Sequence, residues 1–134
     1  MRNIIKNKKA NILTENIIFI ILNLVFLLIL IVFLFSKTGS PAVLEEKYSK
    51  QIALAIDSAE AGMVIHLNME DAIKTAAKEG INTNNIISIQ ENVVTIKLRE
   101  KGGYSYSFFN NVDVNSYPDT TNNKEYVFFI YENE

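Results

Sequence analysis

Residues 17–35 read IIFIILNLVFLLILIVFLF, a block of nineteen in which Asn23 is the only polar side chain. A helix rises about 1.5 Å per residue, so the block spans roughly 28 Å, close to the ~30 Å hydrocarbon core of a bilayer. Lipid offers the backbone no hydrogen-bond partners, so a lone spanning segment has to be helical. The competing reading is a cleaved secretory leader, which has a shorter apolar stretch of about 7–15 residues and a small-x-small cleavage site. Here Phe33-Leu34-Phe35 runs straight into Ser36-Lys37-Thr38. The expectation is a retained single-pass anchor in contact with the lipid bilayer.

Working outward, charge sets the orientation. Arg2, Lys6, Lys8 and Lys9 precede the block, with Glu15 as the only acid. From Ser36 onward there are nine Lys or Arg against fourteen Asp or Glu, a balance of −5. The positive-inside rule then places the N-terminus in the cytoplasm and the remainder outside the cell membrane. An acidic outer domain argues against nucleic-acid binding. The chain has no cysteine, so the domain uses no disulfide, and it has no N-x-[ST] sequon. Both features fit a prokaryotic surface. The expected organisation is a basic cytoplasmic segment at 1–16, a transmembrane helix at 17–36, a hinge at 37–42 and an extracytoplasmic α+β domain at 43–134.

The run Lys8-Lys9-Ala10-Asn11-Ile12-Leu13-Thr14-Glu15 ahead of the apolar block resembles a class III (prepilin-type) signal. With Ala before the cut and lysines ahead of it, it is similar to the form found in archaeal type IV pilin-like proteins. The resemblance covers about the first 36 residues. It implies a prepilin peptidase as a partner, cutting between Ala10 and Asn11. Glu15 would become the fifth residue of the mature chain and pair with the α-amino group of a neighbouring subunit. Lys9, Ala10, Asn11 and Glu15 are thus the processing and assembly residues that the resemblance implies. A carboxylate at the mouth of an apolar helix is costly to bury unpaired, which gives such a pairing its physical value. A second reading needs no peptidase: Thr14 caps the helix and Glu15 is a first-turn acid favoured by the helix dipole.

Asn16 and Asn23 lie seven residues apart, two helical turns, and project from nearly the same face. An amide in lipid is satisfied by contact with another helix. The expected partners are therefore other copies of this chain or other membrane-helix subunits.

The soluble part opens with a break at Lys37-Thr38-Gly39-Ser40-Pro41, where Ser40 can cap a helix that has Pro41 at its first position. That helix is expected to run to about Ala61 and to stop at Gly62. Its apolar stripe is Leu44, Tyr48, Ile52, Leu54, Ile56 and Ala59, and its charged face includes Glu45, Glu46, Lys47, Lys50, Asp57 and Glu60. A strand is expected over 63–67, then a helix over 69–79 capped by Asn68. Strands follow at 86–90 and 93–99, joined through Glu91-Asn92 as a hairpin, and at 104–109 and 126–131. Residues 110–124 read as a polar loop with Pro118 inside it. The fold class is α+β: a transmembrane helix, then a small domain of two helices and a mainly antiparallel sheet of about five strands.

Little in the chain points to chemistry. His66 is the only histidine, and zinc held without cysteine would lean on carboxylates, which is unusual, so no metal site is expected. No G-x-S-x-G context supports a nucleophilic serine. Asp113 and Asp119 could offer oxygens to calcium, but their spacing matches no EF-hand loop. No enzyme and no cofactor is expected. The aromatic residues are the surface clue, since Tyr104, Tyr106, Phe108, Phe109, Tyr126, Phe128, Phe129 and Tyr131 crowd two strands. Tyr104, Tyr106, Phe108, Tyr126 and Phe128 are the candidate contact residues if one sheet face is open. If helices cover both faces, the same residues are core. The functional expectation is a pilin-like membrane protein with a structural, assembly role. The alternative is an uncleaved membrane-anchored interaction module or accessory subunit of a membrane complex.

Overall fold

The computed structural model describes the backbone of residues 2–134 and the side chains of residues 11–36 and 39–134. The chain divides into two compact units, residues 1–38 and 39–134.

The first unit is one helix, α1 (Arg2–Thr38). The most apolar eighteen residues within Asn11–Ser36 have a mean hydropathy of 3.5, none of them buried, and the stretch is long and apolar enough to cross a membrane. Apolar side chains occupy every face, as in a helix solvated by lipid. The helix is continuous through the basic segment. Thr14 is therefore not a cap, and Glu15 lies well beyond the first turn, so the helix-dipole account of this glutamate does not hold.

The second unit begins where Gly39 and Ser40 interrupt the helical run. Ser40 is extended, with φ −68° and ψ 143°, and Pro41 follows as the first residue of α2 (Pro41–Asp57). The carbonyl of Ser40 accepts from the N–H groups of Val43 and Leu44 at 3.1 and 3.2 Å. Its hydroxyl makes no capping bond. The helix ends one turn earlier than its composition suggests. Ser58 forms the C-cap, and its hydroxyl donates to the Leu54 carbonyl at 2.8 Å. Gly62 serves the turn after the helix. Its φ of +92° is left-handed, and its N–H donates to Ile130 at 2.8 Å.

Six strands follow the α2 segment, β1 (Val64–Asn68), β2 (Ile87–Gln90), β3 (Val93–Ile96), β4 (Tyr104–Ser107), β5 (Val112–Pro118) and β6 (Glu125–Glu132). Between β1 and β2 lie α3 (Glu70–Lys78) and a short 3-10 turn at Thr83–Asn85. The strands form two antiparallel sheets of three, ordered β1-β6-β5 and β2-β3-β4. The α+β class therefore holds, with six strands in two sheets in place of about five in one. The hairpin through Glu91-Asn92 forms with Gln90 opposite Val93. Glu91 takes a left-handed φ of 53° there.

The stretch expected as a polar loop contains β5. Its alternation is complete in burial but faint in composition. Val112, Val114 and Ser116 face in, while Asp113, Asn115 and Tyr117 face out. Pro118 is tolerated because β5 is an edge strand with β6 on one side only.

The core lies between the helices and the two sheets. Leu44, Tyr48, Ile52 and Ile56 of α2 join Ala72 and Ala76 of α3, Val94 and Ile96 of β3, and Tyr126, Phe128 and Ile130 of β6. Each fully buried Leu, Ile or Phe side chain contributes about 1.5–3 kcal/mol relative to exposure. Leu54, expected in the stripe, is 59% exposed. It sits two residues from both Ile52 and Ile56, so it points away from their face.

Candidate functional site: an apolar helix and an open sheet face

In α1, Asn11, Glu15, Asn16 and Asn23 are all exposed. The side chains of Lys9 and Ala10 lie outside the described residues. The structure thus leaves these polar groups at the surface of the helix, open to contact with a second helix.

The aromatic residues of the second unit are sorted by strand parity. Along β6, Tyr126, Phe128 and Ile130 point inward and are buried, whereas Phe129 and Tyr131 point outward. Phe108, Tyr126 and Phe128 are 2%, 1% and 1% exposed. They are core residues, which corrects their assignment as contact candidates. Tyr104 and Tyr106 pair with Ile96 and Val94, on the face of β3 that α2 covers. The ammonium of Lys50 lies 5.8 and 6.0 Å from the centres of their rings. Lys50 also pairs with Glu46 at 2.6 Å, and this hydrogen bond holds its pKa above the ordinary lysine value. Tyr104 and Tyr106 are thus half-covered by the domain's own helix.

The open aromatic surface lies on the outer face of the β1-β6-β5 sheet. Tyr117 of β5 stacks on Phe129 of β6 at 5.4 Å, and Phe129 stacks on Tyr131 at 6.4 Å. Val64 of β1 lies opposite Phe129 on the other side. Tyr117 and Tyr131 were missed as a pair because β5 was not legible as a strand. Phe109, at 88% exposure, is a separate apolar point on the surface.

Two carboxylates of α2 were misread as solvated. Glu45 is 1% exposed. Its Oε1 accepts from the Leu98 N–H at 3.0 Å, and its Oε2 accepts from the Arg99 guanidinium at 3.3 Å. At the other end of the helix, Asp57 Oδ1 accepts from the N–H groups of Phe109 and Asn110 at 2.7 and 2.9 Å. The amide of Asn110 then donates to the carbonyls of Ile56 and Ala59, both at 2.8 Å. These two acids fasten the segments that flank β4 to the helix. Their hydrogen bonds make them structural groups.

His66 lies on the outer face, its side chain 56% exposed, with Nδ1 3.7 Å from Glu125 Oε2. Asp119 joins this pair, and one donor atom from each of the three lies within 4.8 Å of the others. Nearby, Glu70 bonds Lys74 at 2.6 Å and faces Lys124 at 3.5 Å, and its pKa is held below the usual carboxylate value by these lysines. In the core, burial pushes the Tyr126 phenol up to about 12, and its hydroxyl donates to the Thr83 carbonyl. No protein-family model, curated protein or solved structure matches the chain.

Proposed function

We propose that this is a pilin-like single-pass membrane protein with a structural, non-catalytic role, assembling through its apolar N-terminal helix. The observation that carries the reading is α1 itself. It is a helix apolar on every face, with Lys8-Lys9-Ala10 to Glu15 ahead of the apolar block and Asn16 and Asn23 on one side. Positive charge before the block and an acidic domain after it favour a cytoplasmic N-terminus and an extracytoplasmic domain. Cleavage between Ala10 and Asn11 by a prepilin peptidase would free an α-amino group for Glu15 of the next copy. The partners are then other copies of the chain within the bilayer.

Mass spectrometry of the native protein tests this. The expected N-terminal residue is Asn11. A chain that keeps residues through Ala10 in cells with active prepilin peptidase overturns the reading.

The open row Tyr117–Phe129–Tyr131 favours a second reading, an uncleaved anchored module that binds through its sheet face. Purification in mild detergent separates the two. Fixed-ratio co-purification with unrelated subunits supports the module, and self-association alone supports the pilin-like assembly.

A further inference from the structure

The geometry points to a divalent metal site of the zinc type on the outer face of the β1-β6-β5 sheet, with His66, Asp119 and Glu125 as its three protein ligands. It is independent of what the anchor does. The donors come from three places in the chain: the middle of β1, the residue after β5 and the first residue of β6. Pairing of β1 with β6 sets Asn68 opposite Glu125 and His66 opposite Val127, so the imidazole and the Glu125 carboxylate share one face as diagonal neighbours. Asp119 is brought to them because its N–H donates to the Glu125 carbonyl at 2.9 Å, closing the β5–β6 connection.

Each carboxylate is held by one oxygen. Asp119 Oδ1 accepts from the Thr121 N–H at 2.8 Å, and Glu125 Oε1 accepts from the Asn122 amide at 2.9 Å. The second oxygen of Glu125 is the one that faces His66 Nδ1 at 3.7 Å. Orientation of ligands by hydrogen bonds to their other atoms is a recurrent feature of metal sites. Among the described residues, neither Asp119 nor Glu125 forms an ion pair with a lysine or arginine. Two carboxylates this close repel each other unless a cation lies between them.

The donor set selects the ion. An imidazole nitrogen disfavours calcium and magnesium, which prefer all-oxygen shells, and the absence of thiolate disfavours copper(I). One His and two carboxylates suit zinc, with water completing four-coordination. Ligand atoms around tetrahedral zinc are roughly 3.4 Å apart, so the His66–Glu125 pair is nearly in place. All three donors lie within 4.8 Å of one another, so Asp119 closes the set by a side-chain movement of no more than about 1.5 Å. Bound metal would tie the edge strand β1 to the β5–β6 loop.

The test uses the full chain in detergent without a histidine tag, titrated with zinc chloride. One ion per chain should bind, and the imidazole resonances should shift. His66 is the only histidine, so those signals report this site alone. His66→Gln, Asp119→Asn and Glu125→Gln should each weaken binding by about tenfold or more. Zinc at a hundredfold excess over its dissociation constant should raise the domain's thermal midpoint by about 10 °C or more, and His66→Gln should cut that rise to about half or less. His66 is exposed, and Asp119 and Glu125 are half-buried and replaced by amides of the same shape, so the metal-free variants should melt within about 2 °C of the parent, which separates lost binding from lost folding. No saturable binding, zinc affinity unchanged by His66→Gln, or calcium binding equally well and shifting no imidazole signal would each overturn the site.

Discussion

α1 and α2 are consecutive helices that use their side chains in opposite ways. In α1 the apolar groups surround the axis and none is buried. In α2 they form one stripe, and the residues beside it include a buried glutamate and a buried serine, Glu45 and Ser49. The two patterns suit different surroundings. A helix in lipid needs no inner face, because its surroundings are as apolar as its side chains. A helix on a sheet needs a face that fits, and it satisfies the polar backbone groups that its partner strands leave unpaired. Apolar content alone therefore says little about which residues hold a helix in place. In α2, a carboxylate at each end does much of that holding.

The largest expected effect sharpens this directly. Replacing Glu45 with Ala strands the buried Leu98 N–H and leaves Arg99 without its partner. Chemical denaturation should show a loss of about 3 kcal/mol, reduced from a fully buried pair because the Arg99 side chain is partly in water. Glu45→Gln keeps an acceptor for the Leu98 N–H and should lose about half as much. Equal losses for both variants would show that the charge on Glu45, rather than its acceptor oxygen, fixes the helix.

In α1 a charge has no partner to meet. Leu27→Arg, near the middle of the apolar stretch, should cost about 2.5–3.5 kcal/mol of membrane insertion. Membrane partitioning of the expressed protein checks it, with the variant shifted toward the soluble or degraded fraction. The domain of residues 39–134 should keep its thermal midpoint. A drop in that midpoint would mean that the two units are not independent in stability.

How far each helix was legible in the sequence follows from the same difference. α1 was legible because composition alone marks a helix apolar enough to cross a membrane. The stripe Leu44, Tyr48, Ile52 and Ile56 was legible because it recurs every four residues. The ridge beside it, Glu45, Ser49 and Ala53, is just as buried, but its residue types look like a solvated face. Only the position of Leu98 and Arg99, more than fifty residues away, gives Glu45 its role. β5 was hidden for a related reason. As an edge strand it buries one face, and Val112, Val114 and Ser116 supply that face with little apolar content. The cluster at His66 depends on β1 pairing with β6 and on the loop after β5, and no local spacing encodes either.

The core that α2 covers also has a pH signature. Burial raises the Tyr126 phenol to about 12, above its unfolded value near 10. The folded state therefore favours the neutral phenol. Its contribution is present in full below pH ~10 and is lost as the pH rises from about 10 to 12. Denaturation midpoints should be flat from pH 8 to about 9.5 in this respect and then fall. Tyr126→Phe should flatten the fall and lower stability at neutral pH, because the hydrogen bond to the Thr83 carbonyl is gone. An unchanged alkaline fall in this variant would assign it to another group, such as Tyr48, whose phenol is also raised by burial.

The smallest effect belongs to Leu54, an apolar residue of α2 that behaves like those of α1. It is 59% exposed, on the side of the helix away from Ile52 and Ile56. Leu54→Gln replaces it with a residue of similar helix propensity and removes no buried surface of consequence. The change in unfolding free energy should stay within about 0.5 kcal/mol. Ile52→Gln, two residues earlier and 1% exposed, puts an amide into the core and should unfold the domain or nearly so. If Leu54→Gln instead costs ~1 kcal/mol or more in the full chain but not in residues 39–134 prepared alone, Leu54 is covered by something outside the domain. Its exposed apolar side chain would then work as those of α1 do, against an apolar neighbour and not against its own core.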